Sequence, residues 1–212
     1  MSELVLRNMV DRLIEADRES PKRIFIVGDW MTDVYVHGRV EACQEGCPKF
    51  VQERVISAPG GAANAVRSLQ HWRAQVTMVS DRNLGPIKSR FMVDGRCAFR
   101  FDDDQGVGRI NYPIVRAETL DALQRTDPHA VLLSDYDKGL LSPDFIRILV
   151  NYCAERRIPC VADAKREPAL YTGATIKGNY PWYLKYNGCH VATRGEYSPL
   201  VGGRAAASYG LP

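Results

Sequence analysis

The feature that most constrains this chain is a series of short apolar segments, each ending at a small or acidic residue. Residues 23–28, 130–134 and 159–163 are mainly apolar and stop at a glycine, a serine and an aspartate, which predicts buried strands. Helical patterns lie between and beside them, at residues 60–72, 118–125 and 143–156. Strands that alternate with helices predict an α/β fold with a mainly parallel sheet and right-handed connections. Ligands bind at the carboxyl ends of such strands, so the polar residues there are the candidates for function.

Other segments depart from this alternation. Residues 34–40 and 50–56 have strand character around a Cys/Gly/Pro loop, and they predict a β appendage or lid. Residues 90–93, 97–101 and 109–115 predict a small antiparallel patch. Further along, Ser142 and Pro143 are a typical helix start. Near the end, residues 175–177 and 190–193 predict strands and residues 183–186 a weak helix.

Composition places the chain among ordinary globular proteins. It has 212 residues, of which 45% are hydrophobic and 25% charged. A net charge of +3 gives no reason to expect nucleic acid or an anionic membrane as a partner. Residues 1–20 predict an amphipathic helix, and the charges at Arg7, Asp11 and Arg12 argue against a signal peptide. We therefore expect a cytoplasmic protein.

The six cysteines give little support for a metal site. Cys43 and Cys47 are close in sequence, but no second short-spaced pair exists and the four histidines are scattered. Because a zinc site needs about four ligands, we expect no metal. The alternative that this pair binds metal stays open, beside the reading of all six as reduced thiols.

Acidic residues and paired glycines follow the first strands. Asp29 and Asp33 come just after residues 23–28, and carboxylates in a cleft can accept hydrogen bonds from sugar hydroxyls. Gly60 and Gly61 precede a helix and permit close backbone approach, and Asn64 falls in its first turn. Helix capping or turn formation is the alternative role for the two aspartates.

A second polar cluster follows the strands at residues 130–134 and 159–163. Asp135, Asp137 and Lys138 lie within four positions, and Asp163 and Lys165 end the later strand. Acids and lysines at strand ends suit contacts with phosphate or metal-bound phosphate. A solvated loop with local ion pairs is the alternative.

These motifs together resemble the ribokinase-like, PfkB-type carbohydrate kinases, and among them the heptose-7-phosphate kinase domains of bifunctional ADP-heptose synthases. The resemblance rests on residues 28–33, 59–65, 133–139, 161–165 and 173–179, in the family's order. It implies a three-layer α/β/α domain over residues 1–212, with residues 34–56 and 97–115 as a β lid. It also implies a homodimer formed through that lid.

The resemblance further implies roles for individual residues. Asp29, Asp33, Gly60, Gly61 and Asn64 would form the sugar site. Phosphate or nucleotide contacts would come from Lys138, Lys165, Asn179 and Thr193, with ATP and Mg²⁺ as cofactors if the protein is active.

The nucleotide half departs from the family pattern. Trp182 stands where the family has a Glu after Asn179, and Ser198 replaces a Gly after Thr193. The family's Gly-Ala-Gly-Asp unit, which supplies the catalytic base, is absent, and an α/β unit between residues 80 and 86 looks deleted. We therefore expect a C-terminally shortened fold, with residues 178–212 as the remnant of the nucleotide half. Asp135, Asp137 and Asp163 are the only positional substitutes for the base.

Three hypotheses follow for the function. The first is an ATP-dependent kinase homologue acting on a sugar or sugar phosphate of the heptose-7-phosphate type. The second is a catalytically inactive protein on the kinase fold, which binds a sugar or serves as a structural subunit. Its partner would cover a C-terminal aromatic surface, for which core packing is the alternative. The third is one fragment of a split gene. Whether the chain is an enzyme stays open at this point.

Overall fold

The computed structural model describes most of the chain. It covers residues 21–42, 46–70, 72–81, 85–104, 112–186, 188–194, 197–201 and 204–205. The helix predicted for residues 1–20 and the position of Cys43 lie outside the described residues. Among the helices that are described, none is long and apolar enough to cross a membrane.

The larger sheet has eight strands in the described residues. In chain order they are β1 (Arg23–Gly28), β4 (Gln75–Val79), β7 (Ala130–Ser134), β8 (Cys160–Asp163), β9 (Thr175–Asn179), β10 (Val191–Arg194), β11 (Tyr197–Val201) and β12 (Arg204–Ala205). Across the sheet the order is β12-β11-β10-β9-β8-β7-β1-β4. The pairings from β4 to β10 are all parallel, and only the two pairings of β11 are antiparallel. The predicted mainly parallel sheet is confirmed.

Helices cover both faces of this sheet. They are α1 (Ala62–Leu69), α2 (Tyr112–Thr126), α3 (Pro143–Glu155) and α4 (Tyr180–Tyr186), with a 3₁₀ turn at Pro168–Tyr171. Successive residues of a strand point to opposite faces of the sheet, and in β1 both faces are buried. Phe25 and Val27 belong to a hydrophobic cluster with residues of α2, α3 and α4. Ile26, on the other face, is buried outside this cluster. The result is the three-layer α/β/α arrangement of the ribokinase-like fold.

Helix α3 begins as the sequence predicts. The Ser142 hydroxyl accepts a hydrogen bond from the backbone N–H of Phe145, and Pro143 occupies the first turn. Phe145, Leu149 and Cys153 recur at four-residue spacing along α3, and all three are buried against the sheet. An N-cap and an apolar stripe therefore fix the start and the orientation of this helix.

A second, four-stranded sheet carries the segments predicted as a lid. It consists of β2 (Trp30–Glu41), β3 (Lys49–Gly61), β5 (Ile87–Val93) and β6 (Arg96–Asp103), in the order β3-β2-β5-β6. Both predicted segments, 34–56 and 97–115, place strands in this sheet, but their boundaries differ from the observed ones. We call this element the small sheet.

The prediction of a strand at residues 109–115 is wrong for its described part, because α2 already begins at Tyr112. Its β-branched residues suggested a strand, but Val115, Thr119 and Leu123 recur every fourth position, and the last two are fully buried. Pro113 fits the first turn of a helix, where the N–H that proline lacks has no partner anyway. The helix predicted for residues 60–72 is also shorter than expected, since Gly60 and Gly61 complete β3.

Candidate functional site

Asp29 stands at the carboxyl end of β1, where it holds the loop that follows β7. Its carboxylate is 3% exposed. Oδ2 accepts hydrogen bonds from the backbone N–H groups of Tyr136 (2.8 Å) and Lys138 (3.2 Å), and Oδ1 accepts one from Leu140 (3.0 Å). Burial raises the pKa of Asp29, while these three donors act in the opposite direction. The contacts match the turn-forming role that the sequence left open for this residue.

Asp135 holds the same loop from inside the domain. It is completely buried, and its Oδ1 accepts the N–H of Asp137 at 2.8 Å. Its Oδ2 accepts from Arg166 Nε (3.0 Å) and from the Tyr171 hydroxyl (2.5 Å). Burial, reinforced by the Asp135 carboxylate, raises the pKa of Tyr171 well above its ordinary value. Asp135 therefore has no oxygen turned toward a substrate.

The two buried carboxylates decide what the loop after β7 can offer a ligand. The N–H groups of residues 136, 137, 138 and 140 all point inward to Asp29 or Asp135. Left-handed backbone at Asp137 (φ 57°) and Gly139 (φ 104°) permits this tight path. These four N–H groups are therefore engaged within the fold and do not face a ligand.

The paired glycines close the small sheet against β1. Gly61 has φ 60°, and the N–H of Ala62 donates to the Asp29 carbonyl at 2.9 Å. A Cβ at Gly61 would collide with that carbonyl, and one at Gly60 would collide with the Asp33 carboxylate. Only glycine fits at these two positions, because the backbone of β3 lies so close to Asp29 and Asp33. Asn64 is exposed on the first turn of α1 and available to a ligand.

One face of the small sheet is strongly charged. Cα pairing places Asp33, Lys88 and Asp102 side by side on β2, β5 and β6, and Tyr35, Arg90 and Arg100 form the next row. Lateral neighbours in a sheet share a face. Arg90 Nη1 lies 2.6 Å from Asp33 Oδ1, and Arg100 pairs with Asp102. We call these six residues the charged face.

Tyr136 joins the charged face to the loop after β7. Lys88 Nζ lies 5.5 Å from the centre of its ring and Lys165 Nζ 5.1 Å. Burial raises the pKa of Tyr136, and the nearby carboxylates, led by Asp163, act in the same direction. Lys138, two positions further on, pairs with Asp104 at 2.7 Å. A lysine of the small sheet and a lysine that follows β8 thus meet at one aromatic ring.

The region between the charged face and this loop, bridged by Tyr136, is the candidate ligand site, and we call it the cleft. The cavity beside Asp29 and Lys138 measures only about 10 Å³, which is room for a single water. A sugar would therefore reach the exposed groups of the cleft and not the buried Asp29 carboxylate.

Two of the four residues assigned to nucleotide binding, Asn179 and Thr193, are neighbours in the sheet, and both have structural partners. Asn179 and Thr193 pair across β9 and β10. Asn179 Oδ1 accepts the N–H of Trp182 at 3.0 Å, and the Thr193 hydroxyl lies 3.4 Å from the Gly178 carbonyl. Asp163 pairs with Lys177 at 3.0 Å. Of the three candidate bases, only Asp137 has a largely exposed side chain, at 63%.

Trp182, the residue found where the family has Glu, is a core residue. It is 6% exposed, and its Nε1 donates to the Arg166 carbonyl at 3.0 Å. Its ring packs 5.1 Å from that of Tyr186. These contacts favour the core-packing alternative for the aromatic residues of α4, whereas the side chains of Tyr197 and Tyr209 lie outside the described residues.

The described residues show no donor set that fits Mg²⁺. Within the ranges that the structure describes, no three His, Cys, Asp or Glu side chains are grouped to hold a metal ion. Asp135 and Asp163 are engaged by Arg166 and Lys177. The described donor set alone would not complete a magnesium site.

Sequence reasoning found Asp33 of the charged face but missed its other charged members (Lys88, Arg90, Arg100 and Asp102) and Arg166. The signal was present, because Lys88 and Arg90, and likewise Arg100 and Asp102, are two positions apart and so share one face of a strand. Arg166 has no comparable signal: its partner Asp135 is 31 positions away, and only the fold brings them together.

The fold and the sequence relatives agree on the class of protein. No protein-family model matches the sequence. In structure, the chain is similar to phosphofructokinase-2 from Escherichia coli in its tetrameric inhibited form (TM-score 0.56, 11% identity, 87% of this chain and 78% of that chain). It is equally similar to a putative ribokinase from Agrobacterium tumefaciens (TM-score 0.56, 13% identity, 87% and 74%). The chain has the ribokinase-like fold of the PfkB-type carbohydrate kinases.

Its sequence homologues are bifunctional HldE proteins. The HldE of Hyphomonas neptunium is 28% identical over 196 residues, covering 76% of this chain and 39% of the relative. That of Trichlorobacter lovleyi is 29% identical over 200 residues, covering 80% and 40%. The chain thus spans about two fifths of the length of these relatives. The resemblance predicted from the motifs is confirmed.

Replacing Asp29 by Asn tests its role in holding the loop. Asp29→Asn turns an NH₂ group toward backbone donors, so we expect the free energy of unfolding to fall by about 1–3 kcal/mol in urea denaturation. Asp137→Asn, an exposed control that also tolerates left-handed backbone, should change it by less than about 0.5 kcal/mol. Equal losses in the two variants would contradict this role.

The same pair of variants tests the raised pKa of Asp29. Because folding raises this pKa, the carboxyl group stabilises the fold most below its unfolded-state pKa, and this contribution falls as pH rises through the folded-state pKa. The stability difference between wild type and Asp29→Asn should therefore be larger near about pH 4 than near about pH 8. A difference that grows with pH would contradict the assignment.

Proposed function

We propose that the chain binds a phosphorylated sugar in the cleft between the charged face and the loop after β7. The observation that carries this proposal is the meeting of Lys88 and Lys165 at the Tyr136 ring, with Lys138 two positions further along the same loop. Arg90 and Arg100 form the neighbouring row of the charged face. Ammonium and guanidinium groups are the side chains that bind phosphate most strongly. Asn64, exposed at the start of α1, would contact sugar hydroxyls.

The homology to HldE proteins supports a sugar phosphate of the heptose-7-phosphate type as the ligand. It also supports Asp33, Gly60 and Gly61 as the floor of the sugar site, because the glycines bring β3 against Asp33 and Asp29. Asp29 would act there by fixing the loop that carries Tyr136 and Lys138. A cytoplasmic location fits this proposal, since free thiols such as Cys153 and Cys160 lie in the core.

Removing one lysine of the cleft tests phosphate recognition. We expect Lys138→Met to weaken binding of heptose 7-phosphate by about ten- to a hundredfold in isothermal titration calorimetry, because a charge-assisted hydrogen bond contributes about 1.5–3 kcal/mol. Lys49→Met is the matched control, since Lys49 pairs with Glu41 at an exposed position of the small sheet. Equal affinity of the wild type for heptose with and without the phosphate would refute the proposal.

Phosphoryl transfer is the second candidate function, favoured by the same homology. ATP would be the donor, and the residues that the resemblance assigns to phosphate or nucleotide are Lys138, Lys165, Asn179 and Thr193. Asp137 is the candidate base with the most exposed carboxylate. Among the described residues, no group of carboxylates supplies the ligands that Mg²⁺ needs.

Incubation with ATP, Mg²⁺ and heptose 7-phosphate separates transfer from binding alone. If the chain transfers phosphate, ADP forms above a buffer control, and Asp137→Asn lowers the rate by about 10²–10⁴-fold because the base is lost. If no ADP forms with several sugar phosphates while calorimetry shows binding, the chain binds without transferring phosphate. In that case the inactive alternative predicted from the sequence is the function.

We also propose that a second copy of the chain covers the outer face of the small sheet. Val36, Phe91 and Phe99 form one row on this face, and Phe91 stacks on Phe99 with ring centres 4.1 Å apart. Phe99 and Phe101 are still 50% and 58% exposed. Because large exposed apolar surface marks interaction sites, this face supports the homodimer that the resemblance implies.

Light scattering coupled to gel filtration tests the dimer. Phe101→Glu places a charge in the proposed interface and should convert a dimer to a monomer. Ile148→Glu, at an exposed position of α3 (37%), should leave the mass unchanged. A wild-type protein that is monomeric at all concentrations would refute the interface.

A further inference from the structure

Lys88 differs from the other cleft lysines in its surroundings. The carboxylates beside it in the sheet, Asp33 and Asp102, are already paired with Arg90 and Arg100. In the part of the chain that the structure describes, no carboxylate lies within ion-pair distance of Lys88. By contrast, Lys138 pairs with Asp104 at 2.7 Å. The Lys88 ammonium is thus left against the Tyr136 ring without a counter-ion of its own.

Burial and like charges act together on this amine. Lys88 is half-buried between the small sheet and Tyr136. Burial lowers its pKa below the ordinary lysine value, and the positive charges of Arg100 and Lys138 act in the same direction, whereas the carboxylates of Asp102 and Asp33 act in the opposite one. Desolvation and cationic neighbours are the two conditions that make a lysine a nucleophile, because they increase the fraction present as neutral amine.

The same cations would hold a phosphate close to this amine. Lys165 Nζ lies 5.1 Å from the centre of the same Tyr136 ring. Lys138, which pairs with Asp104, follows Tyr136 in the same loop. A molecule carrying both a phosphate and an aldehyde could place its phosphate on these lysines and its carbonyl carbon near Lys88 Nζ. Aldose phosphates in their open-chain form have this composition.

We propose that Lys88 is a reactive amine that condenses with phosphorylated aldehydes to form an imine. The nitrogen lone pair attacks the carbonyl carbon and a C–N bond forms. The carbonyl oxygen then leaves as water, taking both amine protons, so that an imine and one water replace amine and aldehyde. No oxidant or reductant takes part. The inference rests on the proposed binding of phosphate in the cleft, but it concerns a covalent step that such binding alone does not require.

Pyridoxal 5′-phosphate is the probe that tests this reaction on the full chain. After borohydride reduction of the imine, peptide mapping by mass spectrometry should find Lys88 labelled about tenfold more than any other lysine, because neighbouring cations concentrate the anionic aldehyde at this amine. Pyridoxal without phosphate should label Lys88 far less, and inorganic phosphate should protect it. Lys88→Arg keeps the charge and should abolish the preferred adduct, whereas Lys49→Arg, at an exposed position of the small sheet outside the cleft, should retain labelling at Lys88.

The outcomes separate this inference from the proposed function. Labelling spread evenly over several lysines, or unchanged total labelling in Lys88→Arg, would overturn the reactive amine even if calorimetry still shows sugar-phosphate binding. Preferred labelling of Lys88 that inorganic phosphate does not reduce would overturn the role of the neighbouring cations. Circular dichroism of Lys88→Arg, expected to match wild type, shows that a lost adduct does not come from unfolding.

Discussion

The buried carboxylate of Asp29 is the contact on which the geometry of the site depends. It lies at the end of β1 and accepts three backbone N–H groups from the loop after β7, while its own carbonyl accepts the N–H of Ala62 at the start of α1. One residue therefore ties together β1, the loop after β7, the small sheet and the first helix. An unpaired buried carboxylate is costly, so this arrangement persists only while all three donors stay in place.

The inward direction of those donors has a chemical consequence. Many anion sites use backbone N–H groups that point at the ligand. Here the N–H groups of residues 136, 137, 138 and 140 are engaged by carboxylates, and recognition passes to the side chains that the loop projects outward. The small sheet forms the other side of the cleft. Because side chains alternate between the two faces of a strand, Lys88 and Arg90 lie on one face of this sheet and Phe91 and Phe99 on the other.

The parts of this fold that could be predicted from sequence are those set by local pattern. The strands around residues 23–28 and 130–134, the Ser142 cap and the parallel sheet follow from apolar runs, capping chemistry and alternation. The strand expected at residues 109–115 did not form in its described part, because burial at Val115, Thr119 and Leu123 follows the helical period. The partners of Asp29 and Asp135 are 107 and 31 positions away, and no local pattern reports such distances.

The acidic and the basic side chains of the cleft differ in whether they are already paired. This difference decides which function the site suits best. Asp135 is enclosed by Arg166 and Tyr171, and Asp163 is paired with Lys177. Lys88 and Lys165 instead contact the face of Tyr136, and among the described residues neither is paired with a carboxylate. A base must have a free lone pair near the substrate hydroxyl, whereas a phosphate needs only cations that can turn toward it. The cleft therefore meets the requirements for binding a phosphorylated ligand more fully than those for deprotonating one, and transfer depends on whether Asp137 can reach the substrate.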